Sequence, residues 1–191
     1  MRSAKGRTLL IWLTAVAGSV LAEEPPKAPL PGGRNPMIAY NREAYEGVKG
    51  ILLRSAENMP EQSYGFRPAD SVRTYGQIIG HVADAQYLFC SLALGETNPA
   101  PKIEKTKTSK ADLVAALKEA FAYCDRASGA MTEATATRTV TLFGGETPKL
   151  GVLEVNSLHS VEHYGNLVTY MRMKGIVPPT SEPAFQAEMK K

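Results

Sequence analysis

Apolar residues recur along four stretches of the chain at the three-and-four spacing of an amphipathic helix. The first stretch starts at Pro36, a residue suited to a first helical turn, and ends near Met59 before Pro60. It sets Met37, Tyr40, Ala44, Val48, Ile51 and Leu52 near one face. The second opens at Thr74 with Gln77 three residues on, a capping-box pattern, and runs to Leu94 before Gly95. Its stripe is Tyr75, Ile78, Val82, Ala85, Phe89 and Leu92. The third begins at Ser109 and Asp112, a second box pattern, and carries Leu113, Leu117, Ala120, Cys124 and Ala127 before an expected stop at Gly129. The fourth opens after Thr147 and Pro148 and continues to about Lys174, where Gly175 suits a left-handed cap and Pro178-Pro179 forbids extension. Between the third and fourth, Thr139 to Phe143 alternates briefly before Gly144-Gly145, which predicts a short strand or an ordered lid.

No stretch repeats another. Four helices that each bury one stripe make an all-α four-helix bundle the economical fold, and such bundles hold metals and ligands between facing helices. Polar groups on inward faces therefore carry the functional question.

Length and composition narrow the setting. A chain of 191 residues accommodates one domain with extensions. Its 43% hydrophobic and 21% charged residues exclude a disordered or multi-span membrane chain. The net charge of +3 is concentrated at the start: Arg2, Lys5 and Arg7 precede any acid, and the rest holds 19 basic and 19 acidic residues. The remainder thus has no electrostatic reason to seek nucleic acid. The basic head is followed by an apolar run from Leu9 that closes on Val20-Leu21-Ala22, the pattern of a secretory signal peptide with cleavage after Ala22. Residues 23–35 hold four prolines and two adjacent glycines and read as a tether. The expected organisation is a signal peptide over 1–22, a tether over 23–35, a helical bundle over 36–179 and a C-terminal tail over 180–191. The mature protein is expected in the periplasm or outside the cell, with no membrane association after cleavage.

Histidine supplies the candidate chemistry. The chain has three: His81 in the second helix, and His159 and His163 in the fourth. A four-residue spacing puts His159 and His163 on one face at successive turns, where both can grip a single ion. Asn156 and Asn166 extend that polar face, and Gln77 and Asp84 flank His81 on its own helix. An i, i+4 histidine pair arises by chance in many helices. A third histidine on a separate inward face completes three nitrogen ligands that leave one coordination position open, as in catalytic zinc sites.

Three segments resemble, in order and spacing, the DinB/YfiT-like metalloenzyme family. Ile78 to Gln86, with His81, is similar to that family's ligand segment in helix two. Leu158 to Leu167, with His159, His163 and Gly165, is similar to its two-histidine segment in helix four, with Asn166 where Gln is usual. Tyr170 to Gly175 before Pro178-Pro179 resembles the exit from that helix. The resemblance implies that His81, His159 and His163 form a metal triad. It also implies a bundle whose second and third helices run parallel, with the Gly95–Ser109 segment as a crossover connection.

One divalent transition metal is the expected cofactor. Zinc or nickel is favoured, and iron, cobalt and copper also suit three imidazoles. The expected activity is that of an exported, metal-dependent, hydrolase-type enzyme acting on a small substrate. One alternative is a metal-dependent thiol transferase, against which export argues because such relatives use cytosolic thiols. The other is a non-catalytic metal-binding or structural bundle. Asp84 and Glu162 are the candidate general bases, although Asp84 equally suits a group that orients His81 and Glu162, one residue off the ligand face, a surface charge; Gln77, Asn156 and Asn166 are candidates for the surrounding pocket. Cys90 and Cys124 would sit at similar heights on parallel helices, and both a disulfide and two buried free thiols fit that placement. A homodimer is an open expectation.

Overall fold

The computed structural model describes residues 35–188, so the expected signal peptide and most of the expected tether lie outside the described residues. Four long helices form the bundle: α1 (Pro36–Asn58), α2 (Tyr75–Leu94), α4 (Lys110–Ala130) and α6 (Lys149–Met173). Shorter elements join and follow them: α3 (Ile103–Thr106), α5 (Glu133–Ala136), the hairpin strands β1 (Thr139–Leu142) and β2 (Gly145–Pro148), and α7 (Pro183–Glu188).

Local chemistry places the helix ends. Thr74 Oγ1 accepts the Gln77 N–H while Gln77 Oε1 accepts the Thr74 N–H, a complete capping box at the start of α2. At α4 the reciprocity expected of Ser109 and Asp112 is incomplete. Ser109 Oγ accepts the Asp112 N–H, but the Asp112 carboxylate accepts a hydrogen bond from the Ser109 hydroxyl rather than from a backbone N–H. Gly129 does not stop α4, which runs one residue further. The segment after α4 is a tight hairpin, in which Thr139 pairs with Pro148 and Leu142 with Gly145. Its two-residue loop, Phe143-Gly144, holds both residues at positive φ, as a primed turn requires.

Cross-helix contacts fix the directions. Leu113 near the start of α4 lies against Gly76 and Gly80 near the start of α2, and Cys90 and Cys124 join their later turns in a disulfide with Cα atoms 5.3 Å apart. α2 and α4 are therefore parallel, and the intervening connector crosses over. α6 opposes α2, since His81 meets His159 and His163 while the backbone carbonyl of Arg73, just ahead of α2, accepts the Tyr170 hydroxyl. α2 is the central helix, buried on most of its surface, and carries Tyr75, Ile79, Val82 and Gln86 into the core.

The stripe expected for α1 is out of phase at its start. Met37 and Tyr40 are each 64% exposed, and the buried face is Ile38, Asn41, Tyr45, Leu52, Ser55 and Ala56. That face includes two polar residues with partners: Asn41 donates to Glu154, and Ser55 to the Ile51 carbonyl. Hydrophobicity alone weighs against such positions. Residues 180–182 pack onto the bundle, because the Thr180 N–H donates to Tyr164 Oη and Glu182 accepts from Asn58.

Candidate metal centre

α2 delivers one imidazole and α6 two, because antiparallel packing brings the outer face of α2 opposite successive turns of α6. His81 Nε2 and His163 Nε2 each lie 3.1 Å from His159 Nε2. The three histidines form a group that can hold a metal ion. Nitrogens bound at about 2.0–2.1 Å in a tetrahedron sit roughly 3.3 Å apart, close to the observed separation. Burial holds the His159 imidazole neutral, pushing its pKa down to about 4, with the nearby charges of His163, His81 and Arg73 adding to the shift. The pKa of His163 is lowered too, first by burial and then by His81. Metal ligation requires neutral imidazole, so the environment of His159 and His163 favours the state that binds a divalent cation.

A ring of groups stands around the triad. His81 Nδ1 lies 3.2 Å from Glu104 Oε2, and Glu104 Oε1 accepts from Arg73 Nε at 2.9 Å. Glu104 belongs to α3, inside the crossover connector. Asp84, one turn beyond His81, uses both carboxylate oxygens to accept the Ile103 and Glu104 N–H groups at 2.7 and 3.0 Å. α3 has no side-chain cap of its own, since its N-cap residue is Lys102 in a left-handed conformation, and Asp84 supplies that cap from another helix. Asp84 is thus engaged with backbone rather than free to act as a base.

Glu162 is exposed and lines a cleft of about 770 Å³ beside the triad, together with His163, Gln77, Asn166, Arg73 and Glu104. Asn166 Nδ2 approaches His163 Nδ1 at 3.5 Å. Asn156 is placed differently. Although it falls near the histidine face in sequence, it points into the core, where Nδ2 donates to Gln86 Oε1 at 2.8 Å and lies 3.7 Å from both sulfurs of the Cys90–Cys124 disulfide. Gln86 in turn donates to Ser160. Asn156 therefore ties α6 to the interior and does not line the cleft. Sequence reasoning missed Glu104; its only local signal is a lone acid among Lys102, Lys105 and Lys107.

Bundle and triad together define a helical protein with a three-histidine site between α2 and α6. The chain belongs to the DinB superfamily, whose family profile matches residues 44–167. YjoA of Bacillus subtilis is 25% identical over 144 residues, spanning 74% of this chain and 91% of that protein. A DinB-like protein from Bacillus cereus shares the fold with a TM-score of 0.67 at 17% identity, covering 74% of this chain and 95% of that one. A mycothiol-dependent maleylpyruvate isomerase shares it at 0.56 and 16% identity, over 70% of this chain and 65% of that one.

Proposed function

We propose that the triad of His81, His159 and His163 binds one divalent transition metal, zinc or nickel in preference to iron, cobalt or copper. We further propose that the exported protein is a hydrolase-type enzyme acting on a small substrate in the adjoining cleft. The observation that carries this reading is the convergence of three imidazole nitrogens beside a cleft that His163 lines and that is large enough for a small molecule. A divalent ion held there would act as a Lewis acid, polarising a substrate oxygen or lowering the pKa of a bound water towards about 7. Glu162 is the carboxylate left to accept a proton at the cleft, since Asp84 is engaged with α3 and Glu104 with Arg73 and His81. Arg73, Gln77 and Asn166 supply polar contacts that orient a substrate. Export rests on the leader pattern alone.

A thiol-transfer reading draws support from the shared fold of the mycothiol-dependent isomerase. Turnover screening of ester, amide, phosphate and thiol-conjugation substrates, with and without chelator, separates the two. Hydrolysis that chelator abolishes supports the leading reading, and chelator-sensitive conjugation alone supports the second. A chelator-dependent drop in melting temperature without turnover would make the site structural.

A further inference from the structure

The crossover connector touches the candidate metal centre at one side chain, and three features of the fold converge on it. Gly80, adjacent to His81, leaves room for the connector backbone: a Cβ on Gly80 would sit 2.7 Å from Glu104 Cα and 3.1 Å from Glu104 N. Asp84 on the next turn of α2 fastens the same backbone through two N–H groups. Arg73, whose own carbonyl accepts the Tyr170 hydroxyl, takes one Glu104 oxygen and leaves the other facing His81 Nδ1. Glu104 is largely shielded, with its side chain 21% exposed.

We infer that Glu104 is a positioning residue that fixes the tautomer of His81, and that Gly80, Asp84 and Arg73 form the clamp that holds it there. The inference rests on the proposed metal reading. A bare Nδ1 lone pair 3.2 Å from a carboxylate oxygen is repelled, whereas an Nδ1–H is attracted, because an ionised carboxylate only accepts. The proton therefore resides on Nδ1, and Nε2 presents its lone pair towards His159. Carboxylates behind ligand histidines orient the ring and raise its basicity, and losing one lowers metal affinity by about 10- to 100-fold. Asp84, a candidate base by sequence, acts at one remove by fixing the backbone of Glu104.

The test uses the full chain stripped of metal, with Zn²⁺ and Co²⁺ as probes. Wild type, Glu104→Ala, Glu104→Gln and Asp84→Asn are titrated with each ion, and the His81 tautomer is read in the metal-free proteins from imidazole ¹⁵N shifts. The expected results are an Nδ1–H tautomer in wild type, a shift towards Nε2–H in Glu104→Ala, and affinity about 10- to 100-fold weaker in that variant. Asp84→Asn should show a smaller loss. If Glu104→Ala does not fold, as judged by its far-UV spectrum, the isosteric Glu104→Gln carries the affinity readout alone, because its neutral amide removes the charge while its oxygen can still accept from Nδ1; unchanged zinc affinity in it would then overturn the clamp. Unchanged zinc affinity together with an unchanged tautomer would overturn the clamp. A wild-type chain that binds neither ion would overturn the metal reading, and its His81 tautomer would still decide the clamp.

Discussion

The His159 and His163 imidazoles are neutral at neutral pH because burial disfavours the charged ring, and neighbouring imidazoles and Arg73 oppose a positive charge further. That environment has a thermodynamic consequence. The His159 pKa falls from 6.5 in the unfolded chain to about 4 in the folded one, so across that window the unfolded chain binds more protons. Stability of the metal-free protein is therefore full above pH 6.5 and declines as the pH drops towards 4. Denaturant midpoints measured across this range should show the decline, and His159→Ala should flatten it. Metal affinity should fall over the same interval as protons compete for the nitrogens. The three histidines were legible in the sequence because helical spacing and placement on two helices suffice to group them. The partners of Asp84 were not legible, because they are backbone N–H groups about twenty residues away that no spacing rule reveals.

Single elements show where periodicity succeeds and where it fails. The stripe of α4 is buried as expected: Leu113, Leu117, Ala120, Cys124 and Ala127 are all apolar and all buried. The stripe of α1 misleads because its inward face admits Asn41 and Ser55, whose hydrogen bonds offset the cost of burial. The short helix α3 depends on approach rather than propensity: four residues cannot hold a helix alone, and Gly80 and Asp84 bring it against α2. Two glycine substitutions should accordingly differ in sign. Gly47→Ala in α1, where an added Cβ meets nothing within 4 Å, should stabilise the chain by about 0.5–1 kcal/mol. Gly80→Ala should destabilise it by about 1–3 kcal/mol through overpacking against Glu104. Urea unfolding of the metal-free proteins checks both.

At the scale of the whole molecule, parallel packing of α2 and α4, which the crossover connector permits, and antiparallel packing of α6 against α2 decide which residues meet. A disulfide spanning 34 residues reinforces the α2–α4 pair. By the loop-closure argument it contributes about 3–4 kcal/mol. Paired Cys90→Ser and Cys124→Ser substitutions should lower the urea-derived stability by up to that amount, and an equal stability with and without the bridge would contradict the argument. The bundle and the triad were legible from sequence, whereas the interior network of Asn156, Gln86 and Ser160 was not, because it depends on side chains meeting across helices. The central claim is that three histidines from two helices form one ligand set. The most direct measurement is metal content by elemental analysis of wild type, His81→Ala, His159→Ala, His163→Ala and the His81→Ala/His163→Ala double variant after equilibration with Zn²⁺. The account predicts one ion per wild-type chain, similar large losses in each single variant, and little further loss in the double variant. Wild-type stoichiometry in His81→Ala would contradict it, even if the pair on α6 still retained an ion.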